Sequence, residues 1–198
     1  MTPNILILGR TQAGKTTAAE ILVKKFGWST SNTSDQIIHD YAENCGLGLT
    51  VNEILANKDQ HRMALYEYGI EAQSVEPDYP VGRMLKTSNI IAGVRTPEQL
   101  KAVHSLFDNI LWIEKDVPAG PTDAISWDLL RSGGYGAIKI DNNGTIKEME
   151  AMLCSLFIPD SCPVCHTTKS VMFKDGWLEC SRCGSHCHLT SLPGASEA

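Results

Sequence analysis

Residues Gly9-Arg10-Thr11-Gln12-Ala13-Gly14-Lys15-Thr16 match the pattern G-x-x-x-x-G-K-[ST] without a mismatch. Their surroundings constrain the fold more than any other feature of the chain. An apolar run at 4–8 precedes the loop and reads as a buried parallel strand. A helix-forming stretch at 16–26 follows, with Ala19, Leu22, Val23 and Phe26 on one face and Gly27 as its stop. Strand, glycine loop and helix in that order let backbone N–H groups wrap a phosphate at a helix N-terminus. Lys15 is expected to reach the β- and γ-phosphates of ATP, and the Thr16 hydroxyl to ligate Mg²⁺. The expected nucleotide cradle is Gly9, Arg10, Thr11, Gln12, Ala13, Gly14, Lys15, Thr16 and Thr17.

The rest of residues 1–157 continues the alternation. Further strands are expected at 28–31, 89–93, 110–113 and 137–140. Helices are expected at 35–43, 51–58, 62–73, 97–107, 127–131 and from the Thr145 cap to about 157. Strands alternating with helices predict an α/β fold, a P-loop NTPase-type parallel sheet flanked by helices.

Seven cysteines, five of them within Cys162–Cys187, mark a second unit. Cys162, Cys165, Cys180 and Cys183 read C-x2-C-x14-C-x2-C, a spacing for four thiolates around structural Zn²⁺. Two apolar triplets flanking Lys174-Asp175-Gly176 read as a hairpin, so residues 162–190 resemble a zinc ribbon. His166, His186, Cys187 and His188 read as extra polar residues beside the knuckles, with replacement of a cysteine ligand or a second weak metal site as the alternatives. The expected organisation is a P-loop domain at 1–157, a linker at 158–161, the ribbon at 162–190 and a loose tail at 191–198.

Charge bears on partners. The 198 residues carry 17 Lys+Arg against 23 Asp+Glu, a formal net charge of −6. That excludes a broadly basic nucleic-acid coat but not a local contact. In the ribbon Lys169, Lys174 and Arg182 outnumber Asp175 and Glu179, and with Trp177 they suit a nucleic-acid strand. No apolar run is long enough for a membrane helix, and no secretory signal is read at the N-terminus. A cytoplasmic protein is expected, in the host cytoplasm if phage-encoded.

No guanine-binding Asn-Lys-x-Asp occurs, and the strand at 89–93 ends in Gly93-Val94-Arg95 rather than an acid. A kinase is therefore expected rather than a GTPase or motor ATPase. The segments GRTQAGKTTAAEIL, NIIAGVRTPEQL and IKIDNNGTIKEMEAML resemble the phage-type deoxynucleoside monophosphate kinase family across nearly all of 1–157. The resemblance implies a P-loop fold, ATP with Mg²⁺, and phosphoryl transfer to a nucleotide-type acceptor. Arg95 matches the family's arginine, whereas Gly93 stands where members often carry Asp. Asp35 resembles the aspartate of P-loop kinases that deprotonate a hydroxyl acceptor, with capping of a helix after Ser34 as the alternative. Arg131, Arg62 and Arg83 are further candidates to steady the phosphoryl group. Tyr79 and Trp127 are candidates to stack on a base, and His39 and His61 read as surface or packing residues.

Asp35 together with a strand-contacting ribbon resembles phage kinases acting on 5-hydroxymethyluracil in DNA. That hydroxymethyl group is the leading expected acceptor. Free deoxynucleoside monophosphates are the alternative, and a non-catalytic ATP-binding regulator that docks a partner through its ribbon is the third reading.

Overall fold

The computed structural model describes residues 2–46, 48–120, 123–158, 164–165, 171–174 and 177–187. Five parallel strands form the main sheet: β1 (Ile5–Gly9), β2 (Thr30–Asn32), β3 (Ile90–Ala92), β4 (Asn109–Glu114) and β5 (Ile138–Asp141). Their order is β2-β3-β1-β4-β5, so β1 is central, flanked by β3 and β4. After β1 the chain forms the edge strand β2, fills the gap between them with β3, and then crosses β1 to β4 and β5. That switch point opens a crevice at the carboxyl ends of the strands, where ligands sit in open α/β sheets.

Alternate residues of β1 serve the two faces of the sheet. Ile5 and Ile7 join Ile90, Leu111, Ile113 and Ile140 in a core closed by α1 (Lys15–Phe26) and α8 (Ile146–Phe157). Leu6 and Leu8 join Ile91, Ile110 and Trp112 in a core closed by α6 (Pro97–Val103), α5 (Val81–Met84) and α7 (Trp127–Ser132). Burial on both faces explains why β1, β3 and β4 read as continuous apolar runs, whereas the edge strands β2 and β5 are partly exposed and polar at alternate or all positions. Phe26 stacks on Trp28 at 4.5 Å, and the Phe157 ring meets Trp28 edge-on at 5.1 Å, which seals the end of the α1–α8 face.

A third cluster, Ile38, Tyr41, Ile54 and Leu65, joins α2 (Thr33–Asn44), α3 (Val51–Ala56) and α4 (Lys58–Val75). The Thr50–Glu53 capping box starts α3. Helix α4 begins four residues earlier and ends two residues later than the apolar pattern at 62–73, because its exposed turns carry polar residues that give no periodic signal. Helix α5 was not expected; it is a single turn after the cis Tyr79–Pro80 peptide. The expected helix at 97–107 stops at Val103 and finishes as a 3₁₀ turn over His104–Leu106.

In the cysteine-rich region, β6 (Val171–Lys174), β7 (Trp177–Cys180) and β8 (His186–Cys187) form a separate antiparallel sheet. The hairpin is therefore present, with a third short strand. The expected linker at 158–161 apart from Ile158, the ligand Cys162, and the tail at 191–198 lie outside the described residues, as do His166 and His188. No helix among the described residues is long and apolar enough to cross a membrane.

Candidate phosphate-loop site and the adjacent cavity

The loop between β1 and α1 is built by two constraints. Gly14 caps α1 with φ +98°, and a Cβ there would stand 2.4 Å from Asn142 Nδ2. Asn142, at the end of β5, donates from that nitrogen to the Ala13 carbonyl at 2.8 Å and so clamps the loop from one side. Gln12 holds φ +65°, an uncommon backbone conformation for a residue with a side chain. The first helical bond of α1 runs from Ala18 N–H to the Gly14 carbonyl at 2.9 Å. The N–H groups of 14–17 thus have no acceptor within the helix and are available to an anion at its positive end.

Lys15 folds back onto the loop, its Nζ donating to the carbonyls of Gly9 at 2.8 Å and Arg10 at 2.6 Å. Burial, then the neighbouring Arg95 charge, pull its pKa down to about 8, opposed by Asp123. Thr16 is exposed at the mouth of the loop, where its hydroxyl would be available to Mg²⁺. Arg10 turns away from the loop centre and donates to the Val117 carbonyl at 2.9 Å, holding the segment after β4.

Arg95 follows β3. Its backbone N–H donates to the buried Gln99 Oε1 at 3.3 Å, and its guanidinium lies 3.6 Å from Asp123 Oδ1. Gly93, two residues before it, has φ +106°. A Cβ there would stand 2.3 Å from Thr33 Oγ1 and 2.7 Å from Asn32 Oδ1. This strand end therefore has no room for an acidic side chain in place of Gly93. Asp123, not singled out in the sequence, is nearly buried against the loop: Thr11 donates to it from both N–H and hydroxyl, each at 2.9 Å. Burial works to raise its pKa, but the N–H groups of Thr11 and Gly120, the Thr11 hydroxyl and the Lys15 charge outweigh burial and hold it below the usual carboxylate range. No sequence motif marks it, because it lies in an irregular segment far from the loop in the chain.

A cavity of about 350 Å³ opens beside the loop, reaching from Thr11 and Arg95 to α2 and α4. Its lining includes Lys58 and Arg62, the apolar Ile37, Leu65, Tyr66 and Ile70, and the polar Ser34, Thr96 and Gln73. No Asp or Glu is among the lining residues described.

Two expected catalytic residues are displaced. Helix α2 starts at Thr33 with Asn32 as its cap, Oδ1 accepting from Ser34 N–H at 3.1 Å. Asp35 is therefore inside the first turn, neither cap nor cavity wall. It is exposed and lines a more open groove with Gln36, His39 and Met84. Arg131 is exposed on α7, 3.8 Å from Asp128, and lines neither the loop crevice nor the cavity. Arg83 pairs with Glu76 at 2.6 Å, away from the site. Tyr79 is buried, its hydroxyl donating to Asp40 at 2.8 Å, so it packs rather than stacks on a ligand. Trp127 packs against the core beside α6, and Lys139 covers its ring.

The sulfurs of Cys165, Cys180 and Cys183 lie within 4.8 Å of one another, with Cys165 and Cys180 at 3.7 Å. A tetrahedron with Zn–S bonds of ~2.3 Å has edges of ~3.8 Å, so this spacing fits a zinc thiolate site. Gly184 N–H donates to the Cys180 carbonyl at 2.9 Å, closing the turn that carries Cys183. These three thiols would hold the metal, with the expected fourth, Cys162, outside the described residues.

No family model matches the chain, and no curated protein matches it. Among solved structures it is similar to an unliganded sugar kinase from Janibacter sp. HTCC2649, with 16% identity and a TM-score of 0.38 over 79% of this chain and 95% of that one. It is similar also to shikimate kinase from Aquifex aeolicus vf5, with 14% identity and a TM-score of 0.43 over 77% and 94%.

Two outcomes are expected. Lys15 must be charged to hold a phosphate. Affinity for a fluorescent ATP analogue should therefore be full below pH 8 and fall above it, by up to about tenfold per pH unit; a flat profile from pH 7 to 9.5 contradicts the pKa. Metal analysis of the purified chain should find about one zinc per chain, lost on Cys180→Ser.

Proposed function

We propose that the chain is an ATP- and Mg²⁺-dependent phosphotransferase whose acceptor already carries a phosphate, a free deoxynucleoside monophosphate. The observation that carries this reading is the lining of the cavity beside the loop: Lys58, Arg62 and Arg95 line it and no Asp or Glu does among the described residues, the carboxylates that pair with Arg62 (Asp59, 2.6 Å) and Arg95 (Asp123, 3.6 Å) standing outside that lining. A phosphate acceptor is an anion and a ready nucleophile, so it needs cations and no base. A hydroxyl acceptor gains from a carboxylate that takes its proton. Tyr66, Ile37 and Ile70 offer an apolar wall for a base, and Gln73 offers an amide to read its edge.

The parts have separate roles. The loop N–H groups and Lys15 bind the donor phosphates. Thr16 would hold Mg²⁺, which supplies charge neutralisation between donor phosphate oxygens. Arg95 borders both the loop crevice and the cavity, and so serves the phosphoryl group in transit. Lys58 and Arg62 hold the acceptor phosphate. The zinc-type module is read as structural.

The other acceptor, the hydroxymethyl group of 5-hydroxymethyluracil in DNA, draws its support from Asp35 and from the ribbon as a strand-contacting module. That support is weakened by the position of Asp35 in a different groove.

The test is to supply radiolabelled ATP and Mg²⁺ with free deoxynucleoside monophosphates, or with DNA with and without 5-hydroxymethyluracil. Label is expected in the free monophosphates. Label confined to the modified DNA, or absent from every acceptor, would overturn the reading. Lys15→Ala should lower kcat at least about 100-fold. Arg62→Ala should raise the acceptor KM about tenfold, the cost of one charged hydrogen bond, and leave the ATP KM within about twofold.

A further inference from the structure

The carboxylate that meets the phosphate loop comes from the far side of β1. Strand β3 ends at a glycine with no space for an acid, whereas the segment after β4 folds back and delivers Asp123. The Asp123 side chain is 5% exposed, yet four groups converge on it. Its Oδ2 accepts from Thr11 N–H at 2.9 Å and from Gly120 N–H at 2.8 Å. Its Oδ1 accepts from the Thr11 hydroxyl at 2.9 Å and faces the Arg95 guanidinium at 3.6 Å. Gly9, Lys15, Arg95, Asp123 and Ile125 line the small crevice behind the loop, and Thr11 and Arg95 also border the large cavity. Asp123 therefore meets Arg95, which borders both the crevice and the cavity, and Thr11, which borders the cavity.

We propose that Asp123 is a positioning residue for phosphoryl transfer, acting through Arg95 and itself held in place by the loop tip at Thr11. This inference rests on the phosphotransferase reading. The reasoning is geometric. An arginine side chain ordered by a fixed carboxylate loses its rotamer freedom before the reaction, not during it. Thr11 is held at two points, so the loop keeps one shape at its exposed end. A carboxylate bonded to two backbone N–H groups and a hydroxyl is immobile, and it cannot swing away as a surface ion pair would. Asparagine in its place keeps the volume but turns one oxygen into an N–H donor that faces other donors.

The test is a double-mutant cycle of Asp123→Asn and Arg95→Ala, read in kcat, in KM for ATP and for thymidine monophosphate, and in affinity for a fluorescent ATP analogue. Asp123→Asn is expected to lower kcat about 10- to 100-fold with the ATP KM within about threefold. In the Arg95→Ala background it should cost no more than about twofold further. Equal losses in both backgrounds, or an unchanged kcat in Asp123→Asn, would overturn the proposal. Asp123→Glu should recover part of the loss, which a packing defect would not. If Asp123→Asn does not fold, Thr11→Val removes one of the same bonds and enters the same cycle. If the wild-type chain binds the ATP analogue but labels no acceptor, the phosphotransferase reading fails. The positioning role falls with it, whereas a chain that labels an acceptor but shows additive losses in the cycle overturns the positioning role alone.

Discussion

Everything the site does depends on β1 being buried between β3 and β4 on both of its faces. Ile5 and Ile7 face one core and Leu6 and Leu8 the other, and all four are essentially inaccessible. A strand fixed in this way aims the loop that follows it. The same sheet carries the other site residues at the ends of its strands: Thr33 after β2, Arg95 after β3, Asp123 on the segment after β4 and Asn142 after β5. Parallel pairing is thus what makes residues distant in sequence meet at one edge. Asn142 and Asp123 hold the loop at two points, Ala13 and Thr11, so its shape is set by neighbours as well as by its own glycines.

Charge is distributed against the overall balance. The chain is acidic, yet Lys15, Arg95, Arg62 and Lys58 gather around the loop and the adjacent cavity. Burying Lys15, and then bringing it near Arg95, costs free energy, in line with its lowered pKa. Asp123 offsets part of that cost. A bound polyphosphate would offset the rest, and this is the physical sense in which the site is built for an anion.

Much of this was legible in the sequence, for definite reasons. The loop motif, the apolar strands and the Thr50 and Thr145 caps are local signals, and each element stands where its residues put it. The helix that carries Asp35 starts at Thr33, two residues before the start its sequence pattern suggests. With about 100° between successive side chains, Ser34 and Ile37 share the cavity wall while Asp35, Gln36 and His39 turn to another groove. Asp123 was invisible because it acts through tertiary contacts alone. Arg131 sits near a glycine pair that suggested a mobile arginine, but α7 points it away from the loop and beside Asp128. The cysteine spacing was informative, and three of the four thiols come together as their pattern implies.

The central claim is that one site holds a donor triphosphate on the loop and an acceptor phosphate in the cavity, with Arg95 between them. A bisubstrate analogue, adenosine and thymidine joined through five phosphates, spans both spaces. Calorimetric titration should give a Kd at least about tenfold below that of ATP, with the advantage lost in Arg62→Ala. An analogue that binds no more tightly than ATP would contradict the account.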